Sequence, residues 1–211
     1  KEKIIIITSD GQLNGDASHL ISTATQISKH GVRLIGVGVV DSFVEQGLPR
    51  PSVERKSPDI SVYARLHRDN VILGIDLAGA SLHQRAYRQE TGDAPLKEHI
   101  ASAMLMRSGW TENTDAPLVD LMCGSGTIAI EAAYIARNIA PGIKRVYWGF
   151  TKWLGHEAKV WDELVEHAIS AQKPSCSGIY AGDFSRKMVA IAKANADFAG
   201  VFNDISFSQQ D

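Results

Sequence analysis

The sequence predicts an α/β protein. Three observations carry this reading. Short apolar, β-rich runs alternate with stretches in which Ile, Leu, Met and Ala recur at helical spacing. A glycine-rich turn, "CGSG" at 123–126, joins one apolar run directly to one helix. Three runs in the second half of the chain each end in an aspartate. A length of 211 residues, 44 % hydrophobic and with 18 Gly, suffices for one large core or two modest ones.

The elements follow in order. Residues 1–40 read as strand ("IIIIT"), loop ("SDGQLNGD"), helix ("ASHLISTATQISKH", closed by Gly31) and strand ("VRLIGVGVV"), a βαβ unit. The Pro-Arg-Pro and Ser-Pro steps in "DSFVEQGLPRPSVERKSPD" force extended backbone, so this stretch reads as a linker or long loop. In "ISVYARLHRDNVILGIDLAG", Ile60, Val62, Ala64 and Leu66 alternate on one face ahead of a turn at Arg68 to Asn70, which predicts an antiparallel hairpin. The stretch "APLKEHIASAMLMRSGW" reads as a helix with Leu96, Ile100, Ala103, Met104 and Met106 largely on one side, stopped by Gly109.

"PLVD" is then a strand ending at Asp120, and the helix after the glycine turn carries Ile128, Ala132, Ile135 and Ile139 before "PG" at Pro141 and Gly142 ends it. A Trp-rich insertion precedes "SGIYAGD", a strand ending at Asp183. "FSRKMVAIAKANADFAG" follows as a helix with Phe184, Met188, Ile191 and Phe198 inward, and "VFNDISFSQQD" is a strand ending at Asp211.

Composition bounds the function. A net charge of -2 gives no global positive field, so nucleic-acid contacts must come from local patches. Cys123 and Cys176 form no CxxC pair; the chain carries neither a disulfide framework nor a zinc knuckle, and a reducing, cytoplasmic setting is expected. The apolar run in "KEKIIIITSDG" is far too short to span a bilayer, so no membrane partner is expected.

The glycine turn invites a ligand. Gly124, Gly126 and Ala129 fit G-x-G-x-x-A, the dinucleotide pattern, but such folds place an acid about 20 residues onward for the ribose. Between Glu131 and Glu157 there is no Asp or Glu. A P-loop is excluded because no Gly-Lys-Ser/Thr follows the turn. In a doubly wound sheet the carboxyl ends of the strands converge on the ligand crevice, where Asp120, Asp183 and Asp211 would stand together. Carboxylates there suit a ligand with hydroxyls and amines but no pyrophosphate, and S-adenosylmethionine has that chemistry. Asp120 would serve its amino-acid end, Asp183 its ribose hydroxyls and Asp211 its adenine amine. For Asp183 the alternative is an N-cap on the following helix.

"APLKEHIASAMLMRSGW", "PLVDLMCGSGTIAIEAAYIARNIAPG" and "WGFTKWLGHEAKVWDEL" resemble the THUMP-containing methyltransferases that modify a guanine exocyclic amine in bacterial large-subunit ribosomal RNA, and "LPRPSVERKSPDI" and "DLAGASLHQRAYR" resemble the later part of that family's THUMP domain. The resemblance covers roughly residues 41–211. It implies a partial Rossmann-like methyltransferase sheet at 93–211, preceded by a THUMP-like, RNA-binding α/β segment at 41–92. The implied cofactor is S-adenosylmethionine and the implied partner ribosomal RNA, with no DNA. The implied cofactor residues are Pro95, Leu96, Lys97 and Glu98, which would close over the methionine end, together with Asp120, Met122, Cys123, Gly124, Ser125, Gly126, Thr127, Asp183 and Asp211. The family's catalytic Asn-Pro-Pro-Tyr does not occur in these residues, so no catalytic residue is named and the chain alone is expected to be catalytically incomplete.

Residues 1–40 instead resemble part of a von Willebrand factor A domain. Asp10 falls where that family places a metal ligand, but Asp-x-Ser-x-Ser is absent, a plain Asp-Gly turn accounts for it, and no metal is expected. For RNA, "KRVYWGFTKW" interleaves Lys144, Arg145 and Lys152 with four aromatics, suited either to phosphate contact and base stacking or to an amphipathic cover over a sheet edge. Arg85, Arg88 and Lys97 lie close in sequence and suit either an RNA path or a solvated face. Cys123 reads as a packing residue rather than a nucleophile, since methyl transfer from a sulfonium needs no covalent step. Two other readings remain: a non-catalytic RNA-binding or scaffolding module, and an adhesion fragment of von Willebrand A type fused to a passenger.

Overall fold

The computed structural model describes residues 3–8, 32–37, 61–67, 70–92, 94–153 and 155–209. The helix expected between the first two strands, the linker at 41–59, Asp10 and Asp211 lie outside them. The chain divides into two compact units, residues 1–79 with 147–156, and residues 80–146 with 157–211.

In the first unit, β1 (Lys3–Thr8) and β2 (Val32–Val37) pair in parallel, from Lys3 opposite Val32 to Thr8 opposite Val37. Parallel neighbours need a crossover, as the βαβ reading requires. β3 (Ser61–His67) and β4 (Asn70–Asp76) form the expected antiparallel hairpin. The chain then turns at Asp76, whose Oδ1 accepts from the backbone N–H groups of Ala78 and Gly79. Residues 147–156 belong to the same unit. Phe150 N donates to Leu77 O at 3.1 Å, and Gly149 approaches Gly79 so closely that a Cβ there would lie 2.8 Å from Gly79 N. The insertion thus packs beside the end of β4, and the ring of Trp148 stacks on that of Phe150.

The second unit holds a three-stranded parallel sheet of β5 (Leu118–Asp120), β6 (Ile179–Asp183) and β7 (Ile205–Gln209) in that order. Its helices are α1 (Glu98–Arg107), α2 (Thr127–Ala136), α3 (Ala158–Ser170) and α4 (Arg186–Ala199). Ile179, Ala181 and Ile205 project from one sheet face into a core shared with Ile130, Ala133 and Tyr134 of α2 and Ala192 and Ala196 of α4. The register partners Val119 and Tyr180 project from the other face and are exposed, at 60 % and 48 %. Among the described residues no helix is long and apolar enough to cross a membrane.

Two helix faces differ from the expected ones. In α1 the buried residues are Glu98, Ala101 and Leu105, whereas Ile100, Met104 and Met106 are exposed. The periodicity was real but its phase was set by a buried charge, since Glu98 turns inward to meet an arginine. In α4 Ile191 is buried as expected, but Phe184 and Phe198 are exposed, and the inward row is Val189, Ala192, Asn195, Ala196 and Ala199. Small side chains win there because α4 runs against the glycine turn. Gly126 has φ +84° and a Cβ added to it would meet Ala192 Cβ at 3.0 Å.

The second unit begins at Ala80, upstream of the boundary expected near residue 92. Tyr87, 1 % exposed, explains why: its ring meets Tyr134 of α2 edge-on at 5.6 Å inside this core.

Gly126→Ala suffers both a left-handed backbone and a crowded Cβ, whereas Gly200→Ala, at φ +81° with open space around it, suffers only the first. Urea denaturation is expected to show a loss of about 1–2 kcal/mol for Gly200→Ala and roughly 2–4 kcal/mol for Gly126→Ala. Equal losses would mean that the close approach of α2 and α4 carries no cost.

Candidate functional site

At the carboxyl end of β5 the chain makes the turn Asp120–Gly126 and enters α2. Cys123 N donates to Gly182 O of β6 at 2.8 Å, and Gly126 N closes the turn on Cys123 O, also at 2.8 Å. Gly124 and Gly126 both have positive φ, +54° and +84°. Their surroundings differ. Gly126 is packed on α4, while a Cβ on Gly124 would meet nothing within 4 Å. One glycine lets two helices approach; the other leaves the turn bare toward a cleft.

That cleft, about 290 Å³, is lined on one side by Asp120, Met122, Cys123, Gly124, Ser125, Thr127 and Ile128, and on the other by Gly92, Ala94, Pro95, Leu96 and Met188. Its size is at the low end for a small-molecule site. Asp120 Oδ1 accepts from Met122 N at 3.3 Å, while the Met122 side chain stands 84 % exposed.

Among the described residues between Ala80 and Lys97 the second wall has no helix or strand, yet buried polar groups fix it. Asn195 of α4, 1 % exposed, accepts from Gln89 N at 2.8 Å and Glu90 N at 3.3 Å, and donates to Glu90 O at 3.0 Å and Ser125 O at 3.1 Å. All four of its amide hydrogen-bonding sites are filled. Arg88 donates from Nε to Glu98 at 2.9 Å, from Nη1 to Ser125 Oγ at 3.0 Å, and from Nη2 to Leu96 O at 2.8 Å and Thr127 Oγ1 at 2.9 Å. Beneath them lies Glu131, 2 % exposed, accepting from the Tyr87 hydroxyl at 3.0 Å and from the Ser102 hydroxyl, with Arg85 Nη2 at 3.7 Å.

Burial dominates the titration of these groups. It raises the Glu131 carboxyl above its usual 4.5, against the opposing pull of Ser102, Arg85 and Tyr87. Burial and the charge of Glu131 lift Tyr87 far above the ordinary phenol range. Asp120 is raised above 3.8, first by burial and then by Asp183, with the Met122 N–H pulling the other way. The Cys123 thiol is pushed up to about 12 by burial and by the charges of Asp120 and Asp183. A thiol so held is protonated at neutral pH and is a packing residue, not a nucleophile.

Of the residues expected at the cofactor, the structure gathers Pro95, Leu96, Asp120, Met122, Cys123, Gly124, Ser125 and Thr127 around one cleft. Gly126 sits behind the turn. Lys97 is the exposed N-cap of α1, and Glu98 faces Arg88 rather than the cleft. Asp183 is 6 % exposed and is not on the cleft wall: its Oδ2 accepts from Gly124 N at 3.0 Å and its Oδ1 from Ser185 N at 2.9 Å. It is not the N-cap of α4 either, because Ser185 holds that position and accepts from Met188 N.

The arginines expected on an RNA path are engaged within the protein. The guanidinium of Arg88 is committed to the four acceptors above, and Arg85 turns inward to Glu131 and to Leu82 O at 2.9 Å. Arg145 donates to Ser81 O and Ala80 O, and Lys144 Nζ lies 5.4 Å over the Phe198 ring. Lys152 is exposed and belongs to the first unit. Among the described residues no group of three or more His, Cys, Asp or Glu is placed to hold a metal. Asn195 and Glu131 are not singled out by the sequence, and Met188 only as an inward residue of its helix, not as a cleft residue. A polar residue on the small-residue face of α4 was the available signal for Asn195, and an acid inside the apolar helix "TIAIEAAYIA" the signal for Glu131.

Comparison with known proteins gives two family matches: an RMKL-like methyltransferase domain over residues 85–211 and a THUMP domain over residues 24–76. The THUMP match begins inside the segment that sequence reading set apart at 1–40. A protein of Alteromonas mediterranea named ribosomal RNA large subunit methyltransferase K/L is 81 % identical over 210 residues, covering 96 % of this chain and 30 % of that protein. That alignment takes in most of residues 1–40, so this segment and the remainder occur together in that relative as well. A protein of the same name from Pseudoalteromonas atlantica is 52 % identical over 197 residues, covering 92 % of this chain and 27 % of its own. The chain thus spans less than a third of the length of these curated relatives. Among solved structures, the putative methyltransferase SMU.472, crystallised in complex with SAH, superposes with a TM-score of 0.71 at 27 % identity over 99 % of this chain and 52 % of that one.

The raised Glu131 carboxyl yields a pH test. A folded-state value above the unfolded one contributes stability that is present below the unfolded value and is lost as pH rises through the folded one. Glu131→Gln stays neutral and escapes that loss. The stability advantage of the native protein over Glu131→Gln is therefore expected to shrink as pH rises from about 4 to about 8 in paired denaturation series. An advantage that grows with pH would mean that the charged carboxylate is the form the fold prefers.

Proposed function

Because the chain belongs to the RMKL-like methyltransferase family, we propose that the cleft between the glycine turn and residues 92–96 binds S-adenosylmethionine, and that the chain is part of a longer enzyme methylating a guanine exocyclic amine in large-subunit ribosomal RNA. The observation that carries the reading is the bare turn at Gly124 beside the half-buried Asp120 carboxylate. A small zwitterionic ligand meets one acid there and the N-terminal end of α2, and among the described residues lining the cleft there is no cation for a pyrophosphate. The SAH bound in SMU.472 and the names of the curated relatives support the same reading.

When bound, the cofactor supplies a methyl group on a sulfonium, open to in-line displacement by an amine. The residues of this chain contribute position rather than covalent chemistry. Asp120 would accept from the ligand's ammonium. Pro95 and Leu96 would cover its methionine end, and Met188 and Ile128 supply apolar walls. Asp183, one hydrogen bond behind the cleft wall, fixes the turn through Gly124 N, and we assign the acceptor site left on each of its oxygens to ribose hydroxyls that reach past Gly124. The THUMP match at 24–76 supports an RNA target, with the exposed Lys144 and Lys152 offering phosphate contacts.

Calorimetric titration tests the reading: S-adenosylmethionine and S-adenosylhomocysteine are expected to bind and NAD is not, and tighter binding of NAD would overturn it. The raised Asp120 carboxyl adds a signature. Protonation removes the partner of the ammonium, so affinity for S-adenosylmethionine is expected to fall as pH is lowered toward and below that raised value, and Asp120→Asn is expected to abolish the dependence. The same pH dependence in Asp120→Asn would assign the ammonium to another group.

A further inference from the structure

We propose that Arg88 is a positioning residue of the cofactor cleft: its single guanidinium ties the Leu96 wall to the glycine turn and so sets the width of the cleft and the direction in which its hydroxyls point. This rests on the reading of the cleft as an S-adenosylmethionine site. Arg88 reaches both walls at once, Leu96 O at 2.8 Å and Glu98 at 2.9 Å on one side, Ser125 Oγ at 3.0 Å and Thr127 Oγ1 at 2.9 Å on the other. Leu96, Ser125 and Thr127 all line the cleft, whereas Arg88 itself does not.

A guanidinium has five N–H donors and no acceptor. The hydroxyls of Ser125 and Thr127 must therefore accept from it, and their own hydrogens point elsewhere. The two oxygens lie 3.5 Å apart, close enough for one hydroxyl to donate to the other. The remaining hydrogen is then left to donate, and the cleft is beside it. Arg88 converts two ambivalent hydroxyls into an oriented donor at the positive end of α2, opposite the carboxylate of Asp120. That is the charge pattern of an amino-acid zwitterion. Ser125 is also held from behind by Asn195, which donates to its carbonyl at 3.1 Å, so the turn is fixed on its two sides by different elements.

Lysine at this position would keep the charge but not the fork, because one ammonium cannot meet acceptors spread over two walls. The test measures dissociation constants for S-adenosylmethionine well below the thermal midpoint of each variant, with the folded fraction read by circular dichroism. Arg88→Lys is expected to weaken binding roughly tenfold or more in the folded protein. A merely structural arginine would lower the midpoint and leave the affinity of the folded fraction unchanged, and binding within about twofold of native overturns the proposal. Should Arg88→Lys fail to fold, Glu98→Gln carries the test, since it weakens the same clamp from outside the cleft. It is expected to reduce affinity, and no reduction overturns the proposal. In a foldable pair the two substitutions are expected to be less than additive, as members of one network are, and full additivity counts against the clamp. Failure of the native chain to bind S-adenosylmethionine at all would instead remove the cofactor reading and this inference with it.

Discussion

The structure depends on how closely α2 can approach α4 at the glycine turn. At Gly126 the backbone runs against Ala192, and a single added carbon would meet it at 3.0 Å. Everything that defines the cleft follows from that contact. It draws the N-terminus of α2 over the carboxyl ends of β5 and β6, where Cys123 N can reach Gly182 O and Gly124 N can reach Asp183. It also selects the side chains of α4, because only Ala192, Asn195, Ala196 and Ala199 can face a helix that close. An amphipathic helix of ordinary kind would turn its phenylalanines inward; here Phe184 and Phe198 are left outside because there is no room for them.

The second constraint is that half of the cleft wall is irregular chain. The described residues of the stretch 80–97 have few backbone partners of the kind a strand or helix supplies, and buried backbone polar groups without partners are costly. Side chains fill that gap, one from an ordered element and one from the stretch itself. Asn195 pairs with three backbone groups of Gln89 and Glu90, and Arg88 bonds Leu96 O. Buried ionic groups are an expensive way to hold a loop, since desolvation offsets much of what each pair contributes. They bring direction, which apolar packing does not, and a binding wall needs a fixed direction more than it needs stability. The Arg137–Asp204 pair does comparable work at the opposite edge, with Asp204 also accepting from Cys176 N and Arg137 donating to Gly200 O and Lys173 O.

How much of this was legible in the sequence varied with the kind of signal. The strands, their order in the chain, the parallel pairing implied by crossover helices and the hairpin at 61–76 all followed from apolar runs and turn residues. The glycine turn was legible because two glycines flanking one serine between a strand and a helix admit few structures. The helix faces were not, since hydrophobic periodicity gives a period, and its phase in α1 was decided by the partner of Glu98. The arginines were misjudged for a related reason. A cation in a polar stretch reads as solvated, and nothing local in "SLHQRAYRQE" shows that the acceptors for Arg88 lie at positions 96, 98, 125 and 127. Sequence patterns report local geometry well, but clamps made between distant residues leave no local trace.

Asp120 and Asp183 show the same limit in its sharpest form. Both end a parallel strand of one sheet, both stand beside the glycine turn, and by sequence position alone they deserve the same role. The difference comes from the turn itself. Leaving β5, the chain doubles back over β6, so that the Gly124 N–H falls on Asp183 and covers it, while Asp120 lies under the start of the turn and keeps its open side toward the cleft. Coverage makes Asp183 first a partner of the protein, with only its residual acceptor sites for a ligand. Asp120 has a single long bond to Met122 N and a carboxyl raised by burial, and so gains more from a cationic group arriving in the cleft than any other acid near the turn. A ligand carrying an ammonium and a diol would find the two acids already sorted: the half-buried one open to the cleft for the charge, the covered one for the hydroxyls. The sorting is a property of the backbone path through two left-handed glycines, and it would be lost if either residue forced the turn to open.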